Sequence, residues 1–129
     1  MNKATRRQTR KQTRKQAEQR GRRAETFAAW FLRLKGYRIL EIRQKTPHGE
    51  IDLIAMKGNI LAIVEVKRRP TLALAQEALH NADLSRIEEA AYHYQAKHTK
   101  WDNKTIRFDA VFAAKGLRIK HVKDAWRGY

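Results

Sequence analysis

From Ala24 onward, apolar residues return at three- and four-residue steps through Phe27, Ala28, Phe31 and Leu34, and the run stops at Lys35-Gly36. That spacing gathers them on one stripe of an amphipathic helix and makes Gly36 the residue that ends it. Tyr37 to Ile42 then reads as a short strand, followed by a polar connection through Pro47, His48 and Gly49. Ile51 to Lys57 and Ile60 to Lys67 are both rich in branched aliphatics and flank Gly58-Asn59. Glycine at the first central position suits a two-residue type II′ hairpin. In that register Asp52 falls opposite Glu65, and Lys67 shares the face of Glu65 because side chains repeat every second residue. A three-residue turn would shift the pairing.

Leu72 to Leu79 reads as a helical or irregular piece. Ser85-Arg86-Ile87-Glu88 has the capping-box pattern and opens a helix towards Lys97. Thr105 to Ala113 and Leu117 to Val122 are two more strands about Lys115-Gly116. The predicted order is α-β-β-β-α-β-β in a single domain of the α/β class.

Ahead of the first helix the pattern is different. Residues 1–23 carry ten basic side chains against one acid, Glu18, and repeat a Thr-basic-basic-Gln tetrapeptide three times. In a helix Arg6, Arg10 and Arg14 would stack at four-residue spacing, as would Arg7, Lys11 and Lys15. Such like-charge pairs repel by about 0.2–0.5 kcal/mol each. The expectation is a basic arm over residues 1–20 that is disordered when free and ordered by phosphates, followed by a domain over residues 21–129. A solubilising tail is the alternative reading.

The whole chain of 129 residues has 29 Lys and Arg against 13 Asp and Glu, a net charge of +16 and a pI near 10.7, which directs it to polyanions. Nucleic acid is the expected partner. Arg6, Arg7, Arg10, Lys11, Arg14 and Lys15 in the arm, Arg22 and Arg23 after it, and Arg68 and Arg69 beyond the second hairpin strand are the candidate contacts. No apolar run is long enough to span a bilayer and no apolar stretch follows the basic start, so neither a membrane nor secretion is expected, and the location expected is the cytoplasm. The absence of cysteine excludes disulfides, thiolate zinc sites and cysteine nucleophiles, and the five histidines have no close metal-ligand spacing.

Acids inside otherwise apolar strands require compensation, because an ionised side chain is costly to bury alone. Lys67 can pair with Asp52 or Glu65 in a structural ion pair. The functional alternative is a hard-cation site: two carboxylates facing across a hairpin can hold Mg²⁺ or Mn²⁺ through oxygen, with Lys67 beside them to stabilise or orient an attacking water.

Asp52 followed by Glu65-Val66-Lys67 on the next strand resembles the active-site signature of the PD-(D/E)xK nuclease superfamily, which includes restriction enzymes and archaeal Holliday-junction resolvases. Further matching strings are Arg23-Ala24-Glu25, Lys35-Gly36-Tyr37-Arg38-Ile39-Leu40, Gly49-Glu50-Ile51-Asp52-Leu53-Ile54, Val64-Glu65-Val66-Lys67 and Ile106-Arg107-Phe108-Asp109. Together they look like the YraN family of small bacterial proteins, over roughly Gly21 to Trp126.

The resemblance implies a restriction-endonuclease-like mixed sheet flanked by helices. It also implies metal-dependent phosphodiester hydrolysis on branched or structured DNA, with Asp52 and Glu65 as metal ligands and Lys67 as the catalytic lysine. Glu25 would be the auxiliary catalytic acid on the first helix, although a plain first-turn acid favoured by the helix dipole is the competing reading. Glu50 is a further metal ligand or a solvated strand-entrance acid. Resolvase-like action would require a homodimer. The chain departs from the family pattern at Ala24, commonly glycine, and at Asp83, commonly basic.

For Asp109, a salt bridge with Arg107 is favoured over catalysis. Trp30, Trp101 and Trp126 offer stacking surfaces for bases, although Trp30 reads as a packing residue. The rival functions are a non-catalytic nucleic-acid-binding module of the same fold and an RNA- or ribosome-associated basic protein.

Overall fold

Five strands, β1 (Arg38–Thr46), β2 (Gly49–Lys57), β3 (Ile60–Arg68), β4 (Thr105–Ala114) and β5 (Arg118–Val122), hydrogen-bond in sequence order into one mixed sheet. In this computed structural model, which describes residues 2–126, the helices are α1 (Lys3–Leu34), α2 (Leu72–His80) and α3 (Leu84–Lys97), with a short 3₁₀ turn at Thr99–Trp101. The predicted α/β order with flanking helices is observed, with one helix more, because the Leu72 to Leu79 piece is α2.

The β2 and β3 strands pair antiparallel from Leu53↔Val64 to Lys57↔Ile60, the predicted register. Gly58 has φ 58° whereas Asn59 is not among the positive-φ residues, the pattern of a type II′ turn. β3 and β4 run parallel, from Ile60↔Thr105 to Arg68↔Ala113, and the helical pair α2 and α3 makes the crossover between them. Strands buried on both faces read as continuous apolar runs, and Leu61 to Val64 and Ala110 to Ala114 are buried without interruption. On one face Ala28, Ala29 and Leu32 of α1 pack on Leu53, Ala55, Ala62, Val64 and Val111. On the other, Ala90, Ala91 and Tyr94 of α3 cover Ile51, Ile54, Leu61 and Ile63, and Ala75 and Leu79 of α2 join Ala110, Phe112 and Trp126.

Several expectations differ from what is observed. The basic arm is helical and continuous with α1. Asn2 caps it through a bond from the Thr5 N–H at 2.9 Å, and the Thr9 and Thr13 hydroxyls donate to the carbonyls four residues back, each at 3.0 Å. Its Lys, Arg and Gln residues are good helix formers, and the repulsion between stacked cations amounts to only tenths of a kcal/mol per pair. Asn2 to Arg23 are nevertheless all exposed, so packing against the sheet starts at Ala24.

β1 also extends past Ile42 to Thr46, turning the polar connection into a tight hairpin. Thr46 Oγ1 accepts the His48 N–H at 3.1 Å and donates to the Gly49 carbonyl at 2.7 Å. The cap of α3 is Asp83 rather than Ser85: its carboxylate accepts the Arg86 N–H at 3.2 Å and the Ser85 hydroxyl at 2.9 Å. Trp30 is not a packing residue. It is 59% exposed, with the Arg33 guanidinium over its ring, while Trp126 is in the core.

Candidate acidic cleft

The side-chain alternation of β2 slips at Asp52. Leu53 and Ala55 pack on the α1 side, but Ile51 and Ile54 both pack on the α3 side. Across the β1–β2 ladder the register passes from Ile42↔Leu53 to Gln44↔Ile51, so Arg43 stands opposite Asp52, and Arg43 has φ 59°. A left-handed conformation costs a non-glycine residue about 1–2 kcal/mol. Beyond Leu53↔Val64 no further β2–β3 pair forms, although β3 continues beside β4 to Arg68. The strands part, and Asp52 Oδ2 takes the Val66 N–H at 2.8 Å in the gap.

Parting the strands brings the acids together. One carboxylate oxygen each from Glu25, Glu50 and Asp52 lies within 4.8 Å of the others. Glu65 stands behind Asp52. Burial, the Asp52 charge and a hydrogen bond with the Asp52 carboxyl group raise its pKa to about 8, against the opposing pull of Lys67, whose Nζ is 3.3 Å from Glu65 Oε2. Glu25 is raised to about 7, first by burial and then by Asp52, with Arg43 acting against them. Arg43 Nε lies 3.3 Å from both Glu25 Oε2 and Glu50 Oε1, but its N–H is directed at Glu50. Glu25 Oε2 is therefore buried without a hydrogen bond.

A buried carboxylate oxygen that lacks a donor, beside two more carboxylates and no sulfur or imidazole ligand, fits a hard cation such as Mg²⁺ or Mn²⁺. Two of these acids, Glu25 and Asp52, open into a cleft of about 470 Å³ whose wall also includes Lys67, Arg20, Arg69 and Lys115. Arg68 also lines it.

Sequence-predicted residues fall into three groups. Asp52, Glu65, Lys67, Glu25 and Glu50 are brought together. Glu25 is far from the N-terminus of the helix that carries it, so the first-turn dipole reading does not apply. Arg68 and Arg69 join the cleft, whereas Arg6, Arg7, Arg10, Lys11, Arg14 and Lys15 lie along the exposed part of α1, and Arg22 and Arg23 are exposed where it meets the domain. Asp109 is outside the site and fully buried, held by Arg107 at 2.8 and 2.7 Å, by His121 Nε2 at 2.8 Å and by the Asp124 N–H at 3.1 Å. Three cations of the site, Arg20, Arg43 and Lys115, are not among the residues singled out in the sequence. Nothing local marks Arg43 as a left-handed arginine inside a strand, and Lys115, on the β4–β5 turn, reads there as turn chemistry.

Fold and site define an α/β domain whose converging carboxylates open into a cleft rimmed by basic side chains. The chain belongs to the uncharacterised protein family UPF0102, the YraN family of the resemblance, whose model matches residues 24–113. It is 44% identical over 108 residues to a UPF0102 protein of Caulobacter vibrioides, covering 84% of this chain and 86% of that one. Over 107 residues it is 45% identical to a UPF0102 protein of Parvibaculum lavamentivorans, with 83% and 80% covered. A UPF0102 protein of Bartonella henselae is 51% identical over 92 residues, 71% of this chain and 73% of its own. Among the described residues, no helix is long and apolar enough to cross a membrane.

Proposed function

We propose that this protein is a divalent-metal-dependent nuclease of the cytoplasm that hydrolyses phosphodiesters in DNA, with branched or structured DNA as the substrate class. The observation that carries the reading is the convergence of Glu25, Glu50 and Asp52 oxygens within 4.8 Å, with Glu25 Oε2 buried and lacking a hydrogen bond. Those three residues, with Glu65 behind Asp52, would hold Mg²⁺ or Mn²⁺. When bound, the ion supplies a Lewis acid that lowers the pKa of the hydrolytic water and offsets charge on the phosphoryl oxygens.

The chain's own residues supply the rest. Arg20, Arg68, Arg69 and Lys115 line the cleft, where backbone phosphates can be neutralised and aligned. Lys67 also lines it, and its Nζ contact with Glu65 fixes an ammonium close to the carboxylates. That ammonium can donate to the phosphoryl oxygen on which charge develops. The water oxygen bonds to phosphorus, the phosphorus–sugar oxygen bond breaks, and a proton passes to the leaving oxygen. The exposed cations of α1 lead from Arg6 to Arg20 at the cleft edge and extend the same electrostatic surface. Two copies acting together would cut both strands of a junction.

A second reading, a non-catalytic nucleic-acid-binding module, is favoured by Arg43, an internal cation already set between Glu25 and Glu50. The deciding experiment incubates the full chain with plasmid, branched-junction and RNA substrates in Mg²⁺ or Mn²⁺. Metal-dependent cleavage that Asp52→Asn and Lys67→Ala each lose is the expected result. Equal cleavage by all three proteins overturns the proposal. Tight binding without cleavage selects the second reading, and selective binding of structured RNA selects an RNA-associated role.

A further inference from the structure

Two arginine–carboxylate sites in this protein differ in kind. Arg107 grips Asp109 with Nε and Nη2 at 2.8 and 2.7 Å, and its partner is wholly buried. That is the short, forked geometry of a permanent charge-assisted pair. Arg43 instead touches two different carboxylates through a single nitrogen, at 3.3 Å each, and its side chain is 35% exposed. The Nε–H bonds Glu50, and Glu25 Oε2 is left without a hydrogen bond.

The guanidinium is thus close enough to offset two of the three converging carboxylates and too loosely held to satisfy both. A hard divalent ion binds carboxylate oxygens at about 2.0–2.6 Å, and its two charges make it the stronger ligand for the same oxygens. Its arrival removes the reason for the arginine to stay, and the partial exposure of Arg43 leaves it a route towards solvent.

We propose that Arg43 is a displaceable counter-cation. In the ion-free protein it holds Glu25 and Glu50 near Asp52, and it competes with a divalent cation for those two carboxylates, so that loading requires its withdrawal. The inference rests on reading the acidic cluster as an ion site, and it concerns the affinity of that site rather than its chemistry. Arg43 is a positioning residue.

The test is the Mn²⁺ dissociation constant of the full chain, by calorimetry or by the resonance signal of free Mn²⁺, with the rise in Tm on adding Mn²⁺ as a second readout. Arg43→Gly suits the left-handed backbone and removes the charge. Arg43→Met keeps the stem without adding an oxygen ligand and serves if the glycine variant does not fold. Removal of the guanidinium should tighten Mn²⁺ binding at least about fivefold, as expected when a competing charge within about 4 Å is taken away, and enlarge the Mn²⁺-induced rise in Tm. Arg43→Lys should stay close to wild type, and Glu25→Gln should bind more weakly. Equal or weaker Mn²⁺ binding by folded Arg43→Gly or Arg43→Met overturns the inference while leaving the ion site standing. No Mn²⁺ binding by wild type or by either variant overturns both.

Discussion

The carboxylate of Asp52 accepts the backbone N–H of Val66 at 2.8 Å, across the gap where β2 leaves β3. One side chain therefore ends the hairpin ladder and contributes to the acidic cluster. An unsatisfied partly buried N–H costs about 1–3 kcal/mol. Asp52→Ala should lower stability by roughly that amount, whereas Asp52→Asn, which keeps an acceptor oxygen, should cost less than about 1 kcal/mol. Urea denaturation of the two variants checks this, and equal losses would show that the hydrogen bond contributes nothing.

Glu65 gives the ion-free protein a specific pH dependence. In the unfolded chain its carboxyl ionises near the ordinary 4.5, and in the folded state it keeps its proton up to about 8. Across that window the folded state binds more protons, so this group's contribution to stability is full below the window, falls as pH rises through it and is flat above. Glu25 adds a shift of the same sign. Thermal melts in EDTA should show Tm falling between about pH 5 and 8, with Glu65→Gln flattening the fall. An unchanged slope in that variant would place the effect elsewhere.

Asp109 acts in the opposite direction. Burial alone raises its pKa, but hydrogen bonds from Arg107, His121 and the Asp124 backbone outweigh burial and hold it below the usual carboxylate range. Its stabilisation is complete above the unfolded value and is lost as pH falls through the folded one. Asp109→Asn should destabilise the protein by about 1–3 kcal/mol at neutral pH, because a fully buried carboxylate that accepts from Arg107, His121 and the Asp124 N–H is replaced by a neutral amide that cannot satisfy them all. The deficit should shrink as pH falls below the unfolded value of 3.8, because there the unfolded wild-type chain takes up a proton that the folded carboxylate still refuses. A deficit constant across that range in denaturant titrations would contradict the pairing.

The helical arm should add affinity without adding a fold. Its residues are exposed, so removing the first 20, with their eight Lys and Arg, should leave Tm within a few degrees of wild type. For every phosphate that the arm no longer neutralises, the slope of log affinity against log salt should fall by about 0.9 on duplex DNA. Binding measured at several salt concentrations tests this, and an unchanged slope would remove the arm from the interface.

Local chemistry made much of the architecture legible in the sequence. The Gly58-Asn59 turn sets the β2–β3 register because glycine alone tolerates its first position freely, and the periodicity after Ala24 marks α1 as a packed helix, although the face that docks is Ala24, Ala28, Ala29 and Leu32 while Phe27 and Leu34 of the expected stripe are exposed. The acids at Asp52 and Glu65 and the amine of Lys67 were visible as charges placed where strands are otherwise apolar. Tertiary structure alone decided that Glu25 and Glu50 meet Asp52, that Arg43 stands between them, and that His121 closes on Asp109. Those contacts join groups on different elements, so their distances are set by how α1 docks on the sheet, by a single left-handed residue in β1, and by the parting of β2 from β3. No short-range pattern encodes such distances, because packing of the whole core fixes them.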